Sequence, residues 1–222
     1  MAPVLAEKPS NWRDLRVRAV SAAVLIPVAL AALWGGGLAW HALTLVGVAC
    51  LAWEWVTMAR ARPSLTGAML AIGYFVIGGL ALIHLRDAAG GFGNVLYVLL
   101  LVWGTDIGAY IAGRAIGGPK LAPAISPGKT WSGAVGGLAA SLAIAVVFGA
   151  SSAGLALAAG LSVISQIGDL AESAAKRHFG VKDSSHLIPG HGGVFDRVDG
   201  LLAAAPLAAL FELAHAGQAL WR

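Results

Sequence analysis

Unbroken apolar runs, separated by short polar or glycine-rich segments, divide this chain into seven stretches: 19–35, 38–56, 65–85, 94–112, 132–150, 153–175 and 200–216. A helix needs about 20 residues to cross a hydrocarbon core of roughly 30 Å, and each stretch is close to that length. The runs are rich in Ala and Leu and do not alternate, so they predict helices rather than strands. Only Gly36 and Gly37 separate the first two, which predicts a tight helical hairpin.

Composition agrees with that pattern. A mean hydropathy of +0.78 and only 12% charged residues exclude a soluble globular domain. The expected fold class is an all-α polytopic membrane protein, a bundle of about seven transmembrane helices with a polar cavity facing the cytoplasm. Residues 1–222 read as a single integral membrane domain, with 1–18 a cytoplasmic segment and 94–216 the part that carries the chemistry. The basic start followed by residues 19–33 has the look of a signal peptide. Six further apolar runs follow and no clear small-x-small cleavage site does, so it is read as the first anchor. Cys50 is the single cysteine, which excludes an intramolecular disulfide and a cysteine-based metal site.

The net charge of +4 raises nucleic acid as a partner, but its distribution argues otherwise. With the N-terminus inside, thirteen of the 15 basic residues fall on the cytoplasmic side, leaving only Arg86 and Arg222 outside. That bias follows the positive-inside rule and predicts N-in topology. The 30 glycines supply the small residues that close packing needs in lipid, and Gly133, Gly136 and Gly137 read as one such contact face. In the 113–131 loop, Gly128-Lys129-Thr130 imitates a nucleotide-binding loop. Pro123 stands where that motif needs a glycine, so the motif fails, while a phosphate contact by Lys129 stays open.

The polar chemistry gathers between Ser173 and Gly200. Lys176, Arg177, Lys182 and Arg197 can hold phosphates; Asp183, Asp196 and Asp199 can hold a hard cation; Gly192 and Gly193 let a backbone pass close to a ligand. Asp169 stands about 16 residues into the sixth stretch, roughly 24 Å along a helix, which places it near the cytoplasmic surface. Glu172 follows three residues later on the same face. Asp106 approaches the same side from the fourth stretch. Carboxylates at that depth are expected to be paired or metal-bound. Acids beside many basic residues at a membrane–cytosol boundary point to phosphoryl or nucleotidyl transfer. No Ser-His-Asp or Cys-His arrangement supports acyl transfer.

These residues resemble the signature of the phosphatidate cytidylyltransferase (CDP-diacylglycerol synthase) family. Ser173, Lys176, Arg177, Lys182, Asp183, Ser185, Ile188, Pro189, His191, Gly192, Gly193, Val194, Asp196, Arg197 and Asp199 all fall in its register, with Ala175 smaller than its usual aliphatic residue. The stretches 165–173 and 106–133 are similar to two further family segments, with Ser132 where a Glu or Gln is expected. The resemblance implies transfer of CMP from CTP to phosphatidic acid, giving CDP-diacylglycerol and pyrophosphate. It implies a Mg²⁺ site with Asp169 and Asp196 as principal ligands and Glu172, Asp199 and Asp106 in support; a second, monovalent cation is left open. It makes Ser173, Lys176, Arg177, Lys182, His191 and Arg197 candidates for phosphate contacts, with Lys129, Asp183, Gly192 and Gly193 lining the substrates. A bacterial inner-membrane location follows, with a homodimer as an open expectation. The alternatives are another CTP-dependent lipid enzyme, of CDP-archaeol synthase or polyprenol kinase type, and a cation transporter using Asp106, Asp169 and Glu172 as a relay. His41, His84 and His215 lie apart from the cluster and are expected to be structural or interfacial.

Overall fold

The computed structural model describes residues 12–215 and 217–222. Residues 1–11 of the expected cytoplasmic segment, and Ala216 at the end of the seventh stretch, lie outside the described residues. Every apolar stretch forms a helix: α1 Trp12–Gly35, α2 Gly37–Met58, α3 Leu65–Asp87, α4 Gly91–Ile116, α5 Trp131–Val147, α6 Ser152–Phe179 and α7 Phe195–Ala214. Five of them, α1–α4 and α6, are long and apolar enough to cross a membrane. The apolar α5 has only 17 residues, and α7 opens with Asp196, Arg197 and Asp199. Large apolar side chains such as Leu38, Leu65 and Val147 stand 79–84% exposed, as a surface that meets lipid requires.

The predicted hairpin between α1 and α2 is present. Gly36 and Gly37 adopt φ of +58° and +48°, a region that favours glycine. Arg86 of α3 closes the turn, donating from Nε to the Leu33 carbonyl at 2.7 Å and from Nη2 to the Trp34 carbonyl at 3.1 Å.

α4 and α5 pack backbone to backbone. A Cβ on Gly136 would stand 2.9 Å from the Gly108 carbonyl, and one on Gly137 would stand 2.8 Å from that of Thr105. Gly133, Gly136 and Gly137 thus form the contact face their spacing predicts. α6 then packs on α7, and α7 on α3. A central core of Leu85, Tyr97, Leu101, Leu161 and Ala205 joins α3, α4, α6 and α7. A second apolar cluster around Leu51, Phe75, Phe195 and Leu202 joins α2, α3 and α7 beneath the polar loop that precedes α7.

One expectation needs correcting. The segment between α4 and α5 is not a plain loop but an antiparallel hairpin, β1 Lys120–Ala122 with β2 Ser126–Thr130. Hydropathy could not reveal it, because its strands are short and polar and border no apolar core. The hairpin has a positional role. Thr130 ends β2 and caps α5, accepting from the Gly133 amide at 3.1 Å, so Lys129 is fixed relative to the membrane helices.

Candidate active site

Asp169 and Glu172, one turn apart on α6, meet Asp199 of α7, and one carboxylate oxygen from each lies within 4.8 Å of the others. Glycine makes this meeting possible. A Cβ on Gly168 would stand 2.5 Å from the Ala203 Cβ and 2.8 Å from the Asp199 carbonyl, so only a bare backbone lets α7 come so near α6. The charges crowd one another. An all-oxygen group of this spacing suits a hard divalent cation such as Mg²⁺.

Lys129 reaches in from β2, its Nζ 2.5 Å from Asp169. Both line a cavity of about 530 Å³ with Asp106, Tyr110, Arg114 and Gln166. Asp106 therefore faces the same space as Asp169 from α4, although the three-carboxylate group does not include it.

The loop between α6 and α7 is built around Asp196. Its Oδ2 accepts from the amides of Ser184 (2.9 Å) and Gly193 (2.8 Å) and from the Ser184 hydroxyl (2.9 Å). Its Oδ1 lies 2.7 Å from Lys176 Nζ, which also contacts Glu172 at 2.6 Å. Asp196 stands outside the three-carboxylate group and connects to it through Lys176.

The remaining signature residues shape the same loop. The Ile188 amide donates to the Gly192 carbonyl at 2.8 Å and the His191 amide to the Ile188 carbonyl at 3.0 Å, making a tight turn with Gly190 at φ +76°. Arg197 donates from Nε and Nη2 to the His191 carbonyl at 3.0 and 2.7 Å. Arg177 reaches the carbonyls of Ile125 in the hairpin and Val181. Ser173 is half-buried on α6, whereas Lys182 and Asp183 are exposed. Gly192 takes φ +83°, and a Cβ on it would stand 2.7 Å from Asp196 Oδ2. A Cβ on Gly193 would overlap the Ser184 hydroxyl and the Glu54 carboxylate. The close approaches these two glycines permit are thus to the protein's own polar atoms.

Glu54 is the residue that motif reading misses. It lies on α2, fully buried, and accepts hydrogen bonds from the Ser184 and Ser185 hydroxyls and the Val194 and Phe195 amides. A lone acid inside an apolar run was the available signal. The outlying histidines have structural partners: His41 meets Asp87 at 2.8 Å, His84 meets Glu212 at 2.7 Å, and His215 meets the Phe211 carbonyl at 2.8 Å.

Apolar helices of membrane-spanning length that set Asp106, Asp169, Lys129 and Arg114 around one cavity mark an integral membrane protein with a charged site. Comparison supplies the particular family. The model of the cytidylyltransferase family matches residues 64–214, and the chain belongs to that family. It is 39% identical to the phosphatidate cytidylyltransferase of Brucella suis biovar 1 (strain 1330) over 255 residues, covering 89% of this chain and 93% of the relative. That stretch is longer than this 222-residue chain, so the relative carries internal segments that this chain lacks. The Pseudomonas aeruginosa phosphatidate cytidylyltransferase is 35% identical, over 87% of this chain and 95% of its own length. The one from Haemophilus influenzae is 47% identical over 139 residues, 58% of this chain and 48% of that protein.

Proposed function

We propose that this chain transfers the CMP unit of CTP to phosphatidic acid, releasing pyrophosphate and forming CDP-diacylglycerol. The carrying observation is the convergence of Asp169, Glu172 and Asp199 beside the Lys129-lined cavity, in a chain whose relatives bear the name phosphatidate cytidylyltransferase. The phosphatidate phosphate is already anionic near neutral pH, so the reaction needs alignment and charge neutralisation rather than a strong base. A phosphate oxygen of the lipid forms a bond to the α-phosphorus of CTP as the bond to the β-phosphate oxygen breaks.

Each side chain has a task in that step. Asp169, Glu172 and Asp199 would hold Mg²⁺, with Asp106 across the cavity and Asp196 behind it. Bound there, the ion would supply charge that screens the two anions and stabilises charge developing on the phosphates. Lys129 and Arg114 face the phosphates in the cavity. Lys176 keeps Glu172 and Asp196 in place; Arg177, Lys182 and Arg197 supply positive charge where CTP enters from the cytosol, with Ser173, Asp183 and His191 at its margin. All seven helices cross the bilayer, N-terminus inside, in a bacterial cytoplasmic membrane. Residues 94–216 form the catalytic part of a single membrane domain.

The test is purified protein in detergent with CTP, phosphatidic acid and Mg²⁺, following pyrophosphate and CDP-lipid by mass. Equal formation of both, abolished in Asp169→Asn protein that still inserts in the membrane, is the expected result. Release of CDP instead would identify a CTP-dependent lipid kinase. Ion flux in proteoliposomes without CTP would identify a transporter.

A further inference from the structure

We infer that Glu54 is a positioning residue for the catalytic loop, an anchor that α2 supplies from outside the 64–214 segment matched by the family model. The inference rests on the cytidylyltransferase reading. Its physical basis is the set of donors. Oε1 accepts from the Ser185 hydroxyl at 2.6 Å and the Val194 amide at 2.7 Å; Oε2 accepts from the Phe195 amide at 2.8 Å and the Ser184 hydroxyl at 3.2 Å. Both oxygens are thus used by donors from two separate turns of the loop. The amides of Val194 and Phe195, at the start of α7, have no preceding turn of that helix to donate to, so Glu54 caps it from a different part of the chain. α7 carries Asp196 and Asp199, and its entry point sets where both carboxyls stand.

Ser184 extends the anchor to the site. Its hydroxyl lies 3.2 Å from Glu54 and 2.9 Å from Asp196, and its amide also donates to Asp196. Asp196 holds Lys176, which holds Glu172 of the three-carboxylate group. The one Ser184 hydroxyl proton is shared between the Glu54 and Asp196 carboxylates, so Ser184 couples α2 to that group. The anchor has company: Ser21 of α1 donates to the Pro189 carbonyl at 2.8 Å, and Arg62, after α2, donates to the His178 carbonyl at 3.0 Å. Of these three, Glu54 is the one that contacts the loop on both sides of its turn, at 184–185 and at 194–195.

Glu54→Gln tests this directly. The amide is the same size, but whichever way it faces, its NH₂ opposes a backbone N–H that cannot turn round. Ser184→Ala is the second variant; it cuts the link to Asp196 while leaving Glu54 its other three donors. Both variants are expected to lower kcat about 10- to 100-fold, the usual cost of disturbing a partner that orients a functional ligand. The KM for CTP stays within about threefold, because the cavity wall is untouched. Hydrogen–deuterium exchange rises in residues 182–195 and stays unchanged in α4 and α5. Wild-type kcat in either folded variant overturns the inference, as does exchange that rises uniformly through every helix. If Glu54→Gln does not fold, Ser184→Ala carries the kcat test alone. Absence of CDP-lipid with the wild-type protein would sink the cytidylyltransferase reading instead, and the exchange pattern would then decide the anchor by itself.

Discussion

Replacing Lys176 with methionine separates a lysine that binds substrate from one that holds the site together. Methionine keeps an apolar stem of similar reach and deletes the ammonium. In the wild type that ammonium lies 2.6 Å from Glu172 and 2.7 Å from Asp196, whose side chains are 2% and 6% exposed. Removing it leaves Glu172 without its cation and Asp196 with only its hydrogen bonds from Ser184 and Gly193. Deleting one partner of a buried ion pair costs about 3–5 kcal/mol, because the remaining charge keeps its desolvation penalty. At about 2–4 °C per kcal/mol for a chain of this size, the thermal midpoint falls by roughly 6–20 °C. The assay is thermal unfolding in detergent without added cation, at one fixed scan rate because membrane proteins unfold irreversibly. A second substitution sharpens it: Glu172→Gln in the Lys176→Met background removes one stranded charge, so the double variant is more stable than Lys176→Met alone. The coupling expected for residues in direct contact is about 0.5–3 kcal/mol. A Lys176→Met midpoint within about 2 °C of wild type, less than about 1 kcal/mol, would refute the reasoning and return Lys176 to substrate binding alone.

Three further outcomes follow from the geometry. Lys129→Met is expected to lower kcat/KM for CTP by roughly 10- to 150-fold, the equivalent of one charge-assisted hydrogen bond of about 1.5–3 kcal/mol, while leaving the thermal midpoint nearly unchanged. Steady-state kinetics beside a melting curve checks both halves. Gly193→Ala is expected to destabilise the protein by about 1–3 kcal/mol, because its methyl overlaps the Ser184 hydroxyl and the Glu54 carboxylate, both already committed to hydrogen bonds. Size-exclusion profiles of heated samples report that loss. The oxygen-only donor set predicts that Mn²⁺ replaces Mg²⁺ after chelation and that thiophilic Cd²⁺ does not, read as CDP-lipid formed per minute.

The helices were legible in the sequence because burial in lipid demands long apolar runs, and those runs became α1–α7 with boundaries shifted by a few residues. The shifts have a cause. Apolarity marks where lipid contact ends, whereas a helix ends where its backbone finds a cap, so α6 runs past the hydrophobic limit to Gly180 and carries Lys176 and Arg177 as helical residues. The acids were legible in part. Three-residue spacing put Asp169 beside Glu172, but nothing local distinguished Asp199, which joins them, from Asp196, which turns to Lys176 and the loop amides. That choice is made by how α7 enters the bundle, and Glu54 on a distant helix sets the entry. A single acid in an apolar run carries no spacing to compare, and its four donors come from residues 130 to 141 positions away.

The two lysines beside the carboxylates differ in a way that orders the site. Lys129 contacts a single acid and keeps 24% of its side chain exposed, on a hairpin joined to the bundle through the α5 cap. Lys176 is 13% exposed, lies between two acids, and sits in the last turn of a membrane helix. An incoming phosphate competes for Lys129 at modest cost, because the pair is partly exposed and water already reaches it. Competing for Lys176 would take the cation from the buried Glu172 and one partner from Asp196. One lysine is therefore placed to exchange Asp169 for substrate, and the other to stay where it is while that exchange happens. On the proposed function, a substrate phosphate that draws Lys129 away would release the carboxylate of Asp169, a member of the three-carboxylate group.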